Sequence, residues 1–259
     1  MPTKSCLSLL FLIISFQLQA QDYAHKVNPF IGTGGHGHTF PGATVPFGMV
    51  QLSPDTRVDG SWDGCGGYHY SDSIIYGFSH THLSGTGCSD YGDIMLMPVM
   101  GPPEFNPDKY ASKFKHSSEK ANAGYYKVKL EDDNIGVELT ASTRTGFHKY
   151  TFNNTGIVSF TLDLQHRDKL LDDSIIIIND YTIEGFRRSE AWAKDQRVYF
   201  RIEFSKPFYK YLLGNKTTGN PEFMRGKAAF TFSIEAGEEI LAKVSLSSVD
   251  RAGARNNML

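Results

Sequence analysis

The residues of this chain that could do chemistry gather in its first hundred positions. Two His-x-His pairs, His36/His38 and His80/His82, stand on either side of the dipeptide Trp62-Asp63, and Cys65 and Cys88 lie in the same glycine-rich neighbourhood. Five of the nine histidines fall between Asn28 and Asp93. In an extended segment each His-x-His pair would place both rings on one face, and imidazole is a common metal ligand. A zinc or calcium site within the chain would need more ligands, which Asp63, Asp90 or Asp93 could supply. The opposing reading is that these histidines order the loops or face a substrate. Trp62-Asp63 suits a sugar, because an aromatic face stacks on the apolar face of a pyranose while a carboxylate accepts hydrogen bonds from vicinal hydroxyls. The same pair would equally serve as a structural tryptophan capping the fold beside an aspartate that holds a turn.

Other reactive types are less well placed. Ser84 and Ser89 are near histidines, but no Gly-x-Ser-x-Gly elbow surrounds either. Glu184, Glu190 and Asp195 could be imagined as the acid and base of glycoside hydrolysis, yet nothing in the spacing brings them together. Trp192, in EAWAKDQR between strands, is expected to pack. Cys65 and Cys88 could pair in an oxidising compartment or stay separate as buried thiols.

The elements that must position these residues are strands. From Phe114 onward apolar residues alternate with polar ones: Tyr126, Val128 and Leu130; Val137, Leu139 and Ala141; His148, Tyr150 and Phe152; Val158, Phe160, Leu162 and Leu164. The pattern returns at Val198 to Phe204, Phe230 to Ile234 and Ile240 to Leu246. Period two marks strands with one buried face, and the breaks at Asp132-Asp133-Asn134 and Asn153-Asn154-Thr155-Gly156 have turn chemistry. Upstream, Ile74 to Ser79 and Asp93 to Val99 are further strands, and Val45 to Leu52, with Pro46 and Gly48, is an edge or bulged strand. The expected fold is all-β, an antiparallel sandwich of many strands. The one helix expected is at the end, within Ser248 to Leu259, stopping before it could pack. Glycine as dense as Gly32 to Gly37 cannot hold a regular element, so the segments carrying the histidines and Trp62 are ordered loops.

Lys4, the apolar run Leu7 to Phe16 and the ending Leu18-Gln19-Ala20 have the order of a secretory signal peptide, with cleavage expected before Gln21. Charge is nearly balanced, 26 basic against 28 acidic residues, and no basic run occurs. That gives no electrostatic case for nucleic acid or an anionic membrane surface, and suits a neutral substrate. No later segment is apolar for long enough to span a bilayer.

The wording of the loops adds a resemblance. NPFIGTGGHGHTFPGATVPFGMVQLSPDT, WDGCGGYHYSD, GFSHTHLSGTGCSDYGD, GYYKVKL and VELTASTRTGFHKYTF are similar, in order, to the N-terminal domain of glycoside hydrolase family 92, the exo-acting α-mannosidases. The resemblance runs from about Val27 to the end. It implies a galactose-mutarotase-like (supersandwich) β-sandwich over residues 21–247, a leader over 1–20 and, from 248 to 259, the start of a helical linker to an absent (α/α)6 barrel. It implies inverting hydrolysis of α-mannosides or N-glycans, in the periplasm or outside the cell. The general acid, the general base and most contacts to a calcium cofactor would lie in the barrel, so this chain alone is expected to be inactive. Trp62 and Asp63 become the leading sugar contacts, with Cys65, His80, His82 and Ser84 further candidates carried by the same motifs. Gly64 stands where many relatives have a second tryptophan. The alternative is a standalone carbohydrate-binding module without catalysis.

Overall fold

The computed structural model of the chain describes residues 23–214 and 226–258, so the leader lies outside the described residues. Two antiparallel sheets face each other. The seven-stranded sheet runs, in spatial order, Ala43–Thr44, Gln51–Asp55, Gly77–Ser79, Met95–Met100, Gly156–Asp163, Lys227–Ile234 and Lys210–Leu213. The eight-stranded sheet runs Lys169–Asn179, Thr182–Glu190, Gln196–Phe204, Glu239–Ser247, Thr145–Phe152, Ile135–Ala141, Tyr125–Leu130 and Lys120–Asn122. A short pair, Ile74–Ile75 with Ser112–Lys113, stands apart.

The alternating side chains meet between the sheets. Phe160 on the seven-stranded sheet contacts Tyr150, Phe152 and Phe204 on the eight-stranded one, with ring centroids 4.8, 6.3 and 5.2 Å apart. Edge-to-face packing of this kind adds to what burial alone supplies. The expected wetter face of Gly156–Asp163 is not wet, because the 101–105 segment covers it: Ser159 Oγ donates to Gly101 O at 2.9 Å and Thr161 Oγ1 to Glu104 O at 2.8 Å. At the end of this strand Asp163 is buried against Lys227 (2.7 Å) and accepts from Tyr110 Oη (3.0 Å).

Three expectations change. Val45 to Val50 is a turn, with Gly48 N donating to Val45 O, and the strand begins at Gln51. A hairpin of Lys169–Asn179 with Thr182–Glu190 fills a region without period-two signal. Its outer strand carries four consecutive isoleucines, and its inner strand buries Glu184, Arg187 and Ser189. The terminal helix, Arg251–Asn257, does pack. Asp250 caps its start by accepting from Gly253 N, and Ala254 is fully buried on the eight-stranded sheet. Ser245 Oγ and Thr145 Oγ1 donate to Ala254 O and Asn257 O, both at 2.6 Å, so hydroxyls from two strands bind carbonyls the helix leaves open.

Candidate functional site

Trp62, Asp63 and Gly64 form one turn of 3-10 helix between the seven-stranded sheet's Gln51–Asp55 and Gly77–Ser79 strands. Trp62 is 58% exposed, yet its ring is held. His36 lies against it at 5.2 Å and the buried His38 meets it edge-on at 4.3 Å. At the indole's Nε1 edge, beside His38, is Gly87, whose φ of 65° and closeness to the indole (a Cβ would sit 2.9 Å from Trp62 Nε1) both require glycine. Asp63 is oriented by His36, Nδ1 to Oδ1 2.6 Å, and this hydrogen bond holds its carboxyl below the usual carboxylate range. His38 Nε2 is buried without a hydrogen-bond partner, 3.8 Å from the same oxygen. The result is an aromatic wall beside a fixed carboxylate, open to solvent.

One arginine ties this turn to the next loop. Arg167 Nη2 donates to Cys65 O at 2.9 Å and to Ser89 Oγ at 3.0 Å. Cys65 and Cys88 are both free thiols here, and burial pushes the Cys65 thiol up. Nothing in the sequence around Arg167 signals this clamp.

His80 and His82 face the interior. His80 Nδ1 lies 2.6 Å from Ile94 O, which can only accept, so that nitrogen carries the proton. His80 Nε2 must then accept from His148 Nε2 at 2.8 Å, and His148 Nδ1 accepts from Tyr150 Oη at 2.8 Å. Both tautomers follow from the one carbonyl. Burial lowers the His80 pKa to about 4 and drives that of His148 well below its ordinary value, so both are neutral. Gly146 makes room, since a Cβ there would sit 2.8 Å from His80 Cδ2. His82 Nδ1 bonds Gln51 O (2.7 Å), and Nε2 bonds the buried Asp55 Oδ1 (2.9 Å). Asp55 Oδ2 stands 3.0 Å from His166 Nε2, at ion-pair distance but without the alignment of a regular hydrogen bond. Burial alone would raise Asp55; the two imidazoles overrule it and hold the carboxyl well below its usual range. His80 and His82 therefore brace the loops from beneath, and the sugar-contact role the motifs suggested for them has no open ring nitrogen to use.

The remaining candidates separate. Ser84 is exposed, on a groove of about 560 Å³ with Phe40, Phe47 and Gln51. Cys65 is buried beneath the Trp62 turn. Asp90 accepts from Ala193 N, and the buried Asp93 accepts from Thr81, Gln196 and Arg187. Glu184 pairs with Arg201 (2.6 Å) and Arg255 (3.2 Å), Glu190 with Lys169 and Asp195 with Arg188, so none of the three carboxylates is poised as acid or base. Trp192 does not pack; it is 79% exposed. Among the described residues no group of three or more His, Cys, Asp and Glu is placed to hold a metal ion, so the zinc site that the His-x-His pairs suggested is not formed by them.

Comparison with known proteins gives a consistent result. The sequence profile described as "Glycosyl hydrolase family 92 N-terminal domain" matches residues 26–247. An uncharacterised secreted glycosidase of Arthroderma benhamiae is 32% identical over 98% of the chain and 35% of its own length. Among solved structures, a family GH92 α-mannosidase of Bacteroides thetaiotaomicron in complex with mannoimidazole is 33% identical, with a TM-score of 0.83 over 92% of this chain and 34% of that one. A family GH92 inverting mannosidase of the same organism is 25% identical with a TM-score of 0.76. The chain thus spans about a third of the length of these relatives.

Proposed function

The chain belongs to glycosyl hydrolase family 92 as its N-terminal domain, and from that premise we propose that it is the sugar-contacting lobe of an exported, calcium-dependent, inverting α-mannosidase acting on mannosides or N-glycans. The observation that carries this reading is the exposed Trp62 held against two histidines and Gly87, beside an Asp63 whose geometry His36 has already set. A pyranose ring stacks on the indole, and vicinal hydroxyls donate to the Asp63 oxygen that His36 leaves free. The wall needs no rearrangement to receive the sugar, which lowers the ordering cost of binding.

Acid and base catalysis belongs to the part of the enzyme that the relatives have beyond the matched third. Supporting this, the carboxylates Glu184, Glu190 and Asp195 are all engaged in ion pairs. Calcium is assigned to that same part, with its ligands mostly outside this chain. Export is supported by the relative described as secreted.

Titration calorimetry of the chain with α-1,2-mannobiose tests the reading. Weak heat at millimolar ligand is expected, because an open wall encloses less than half a sugar, and Trp62→Ala should abolish it. Absence of heat in folded protein would remove the site. The standalone-module reading is favoured only in that the Trp62, Asp63 and His36 assembly is complete within the chain. Release of mannose by the chain alone would overturn the division of labour.

A further inference from the structure

Trp192 sits at the tip of the turn joining Thr182–Glu190 to Gln196–Phe204, almost wholly in solvent, although the turn beneath it is thoroughly fixed. Ala191 N donates to Ala193 O (3.0 Å) and Lys194 Nζ to Ala191 O (3.1 Å). Arg188 forms two parallel bonds to Asp195, at 2.7 and 2.8 Å. Ala193 N also reaches both carboxylate oxygens of the buried Asp90, at 3.2 and 3.3 Å. A bidentate arginine pair and a buried carboxylate are more than a solvent-exposed turn needs to stay closed. They fix the backbone that presents the Trp192 indole to solvent.

Asp90 belongs to the loop whose Gly87 backs Trp62. The two tryptophans, the only two in the chain, therefore flank one loop at the same end of the sandwich. Gly87 and Asp90 are three residues apart, so the turns that carry the two indoles are joined through at most ~11 Å of chain. The charged side chains beside Trp192, Lys194 and Asp195, can donate to and accept from hydroxyls. We propose that Trp192 is a second stacking platform, which takes a neutral hexopyranose unit of an oligosaccharide whose terminal residue lies at Trp62. The inference rests on the sugar-lobe reading and adds that the chain selects for length: a disaccharide reaches one indole and a longer α-mannan segment reaches both.

Because the chain has two tryptophans, each substitution leaves a single fluorescent reporter. Trp62→Phe isolates Trp192 and Trp192→Phe isolates Trp62; both side chains are exposed, so neither change threatens the fold. Linear α-mannose di- and pentasaccharides are titrated into each, with a β-glucan pentasaccharide as control. The Trp192 emission should change saturably with the α-mannose pentasaccharide and stay unchanged with the disaccharide. In the unsubstituted chain the pentasaccharide should bind about tenfold tighter than the disaccharide, and Trp192→Ala should erase that ratio. A silent Trp192 beside a responsive Trp62 overturns this inference and leaves the sugar-lobe reading standing. An equal response to the β-glucan also overturns it, and silence of both reporters overturns the two together.

Discussion

Two interiors lie side by side in this molecule. One is the aromatic cluster around Phe160, where Tyr150, Phe204 and Phe232 interlock between the sheets. The other, beneath the Trp62 turn, is as dry but polar: Asp55, His80, His82, Asp93, His148 and Arg187 are all buried. The first is held by shape and area, which small changes reduce by degrees. In the second, each polar atom needs its own partner, and a lost partner leaves the full desolvation cost of the other. The loops that present Trp62 and Asp63 rest on the interior that is less forgiving.

The largest effect should come from breaking that polar interior. Arg187 uses four of its five N–H donors, on Asp93, Ser189, Leu164 O and Arg167 O, so Arg187→Met leaves the buried Asp93 without its cation. A loss of about 3–5 kcal/mol in chemical denaturation is expected. Adding Asp93→Leu should recover part of it, since an apolar pair of similar volume is often tolerated. If the double variant is as unstable as the single one, the unpaired charge is not the cause.

Acid sharpens the comparison next. The folded-state pKa of His80 is about 4 against an ordinary 6.5, and His148 is also lowered, so the unfolded chain binds more protons over that interval. Stability from these two groups is complete above about pH 6.5 and is lost as pH falls towards 4. Asp168 acts in the opposite sense: burial raises it to about 6, so its cost is relieved as pH falls below that value. Asp133, also raised by burial, acts in the same sense as Asp168, but the two fully buried histidines outweigh these half-buried carboxyls, and the melting temperature should fall over this interval. Asp168→Asn should steepen the fall and His148→Phe should flatten it; a flat profile in the unsubstituted chain would contradict the neutral histidine pair.

In the aromatic interior Phe160→Leu should cost about 1–2 kcal/mol with no pH dependence of its own, read from the same denaturation curves. Smallest of all, Asp63→Asn at the surface should leave the denaturation curve almost unchanged while weakening mannobiose binding in calorimetry. A large loss of stability there would mean that the His36–Asp63 pair holds the loop up and is not mainly a sugar contact.

The contrast also explains what could be read from the sequence. Val158, Phe160 and Leu162 declare a strand because their apolar side chains alternate with polar ones along the pleat, and the antiparallel sandwich followed from such runs. The Lys169–Glu190 hairpin escaped because Arg187 occupies an inward position where period two expects an apolar residue, while Glu184, on the opposite face, is buried by its pairs with Arg201 and with Arg255 of the terminal helix; none of these partners is legible from the strand itself. Trp62 and Asp63 were legible as a pair through residue type. That His80 and His82 turn inward was not, since a histidine's burial depends on a carbonyl and a second histidine that spacing does not reveal. Trp192 went the other way: an apolar residue type suggested packing, and only the fixed turn places it in water.

The row from Ile94 through His80 and His148 to Tyr150 has a consequence for proton conduction. Every donor in it points the same way, and the last acceptor is a peptide carbonyl, which cannot take up a proton at ordinary pH. A relay along the row would have nowhere to deliver its charge. While both imidazoles are neutral the row is an insulator, and it adds no charge of its own to the floor beneath the Trp62 loops.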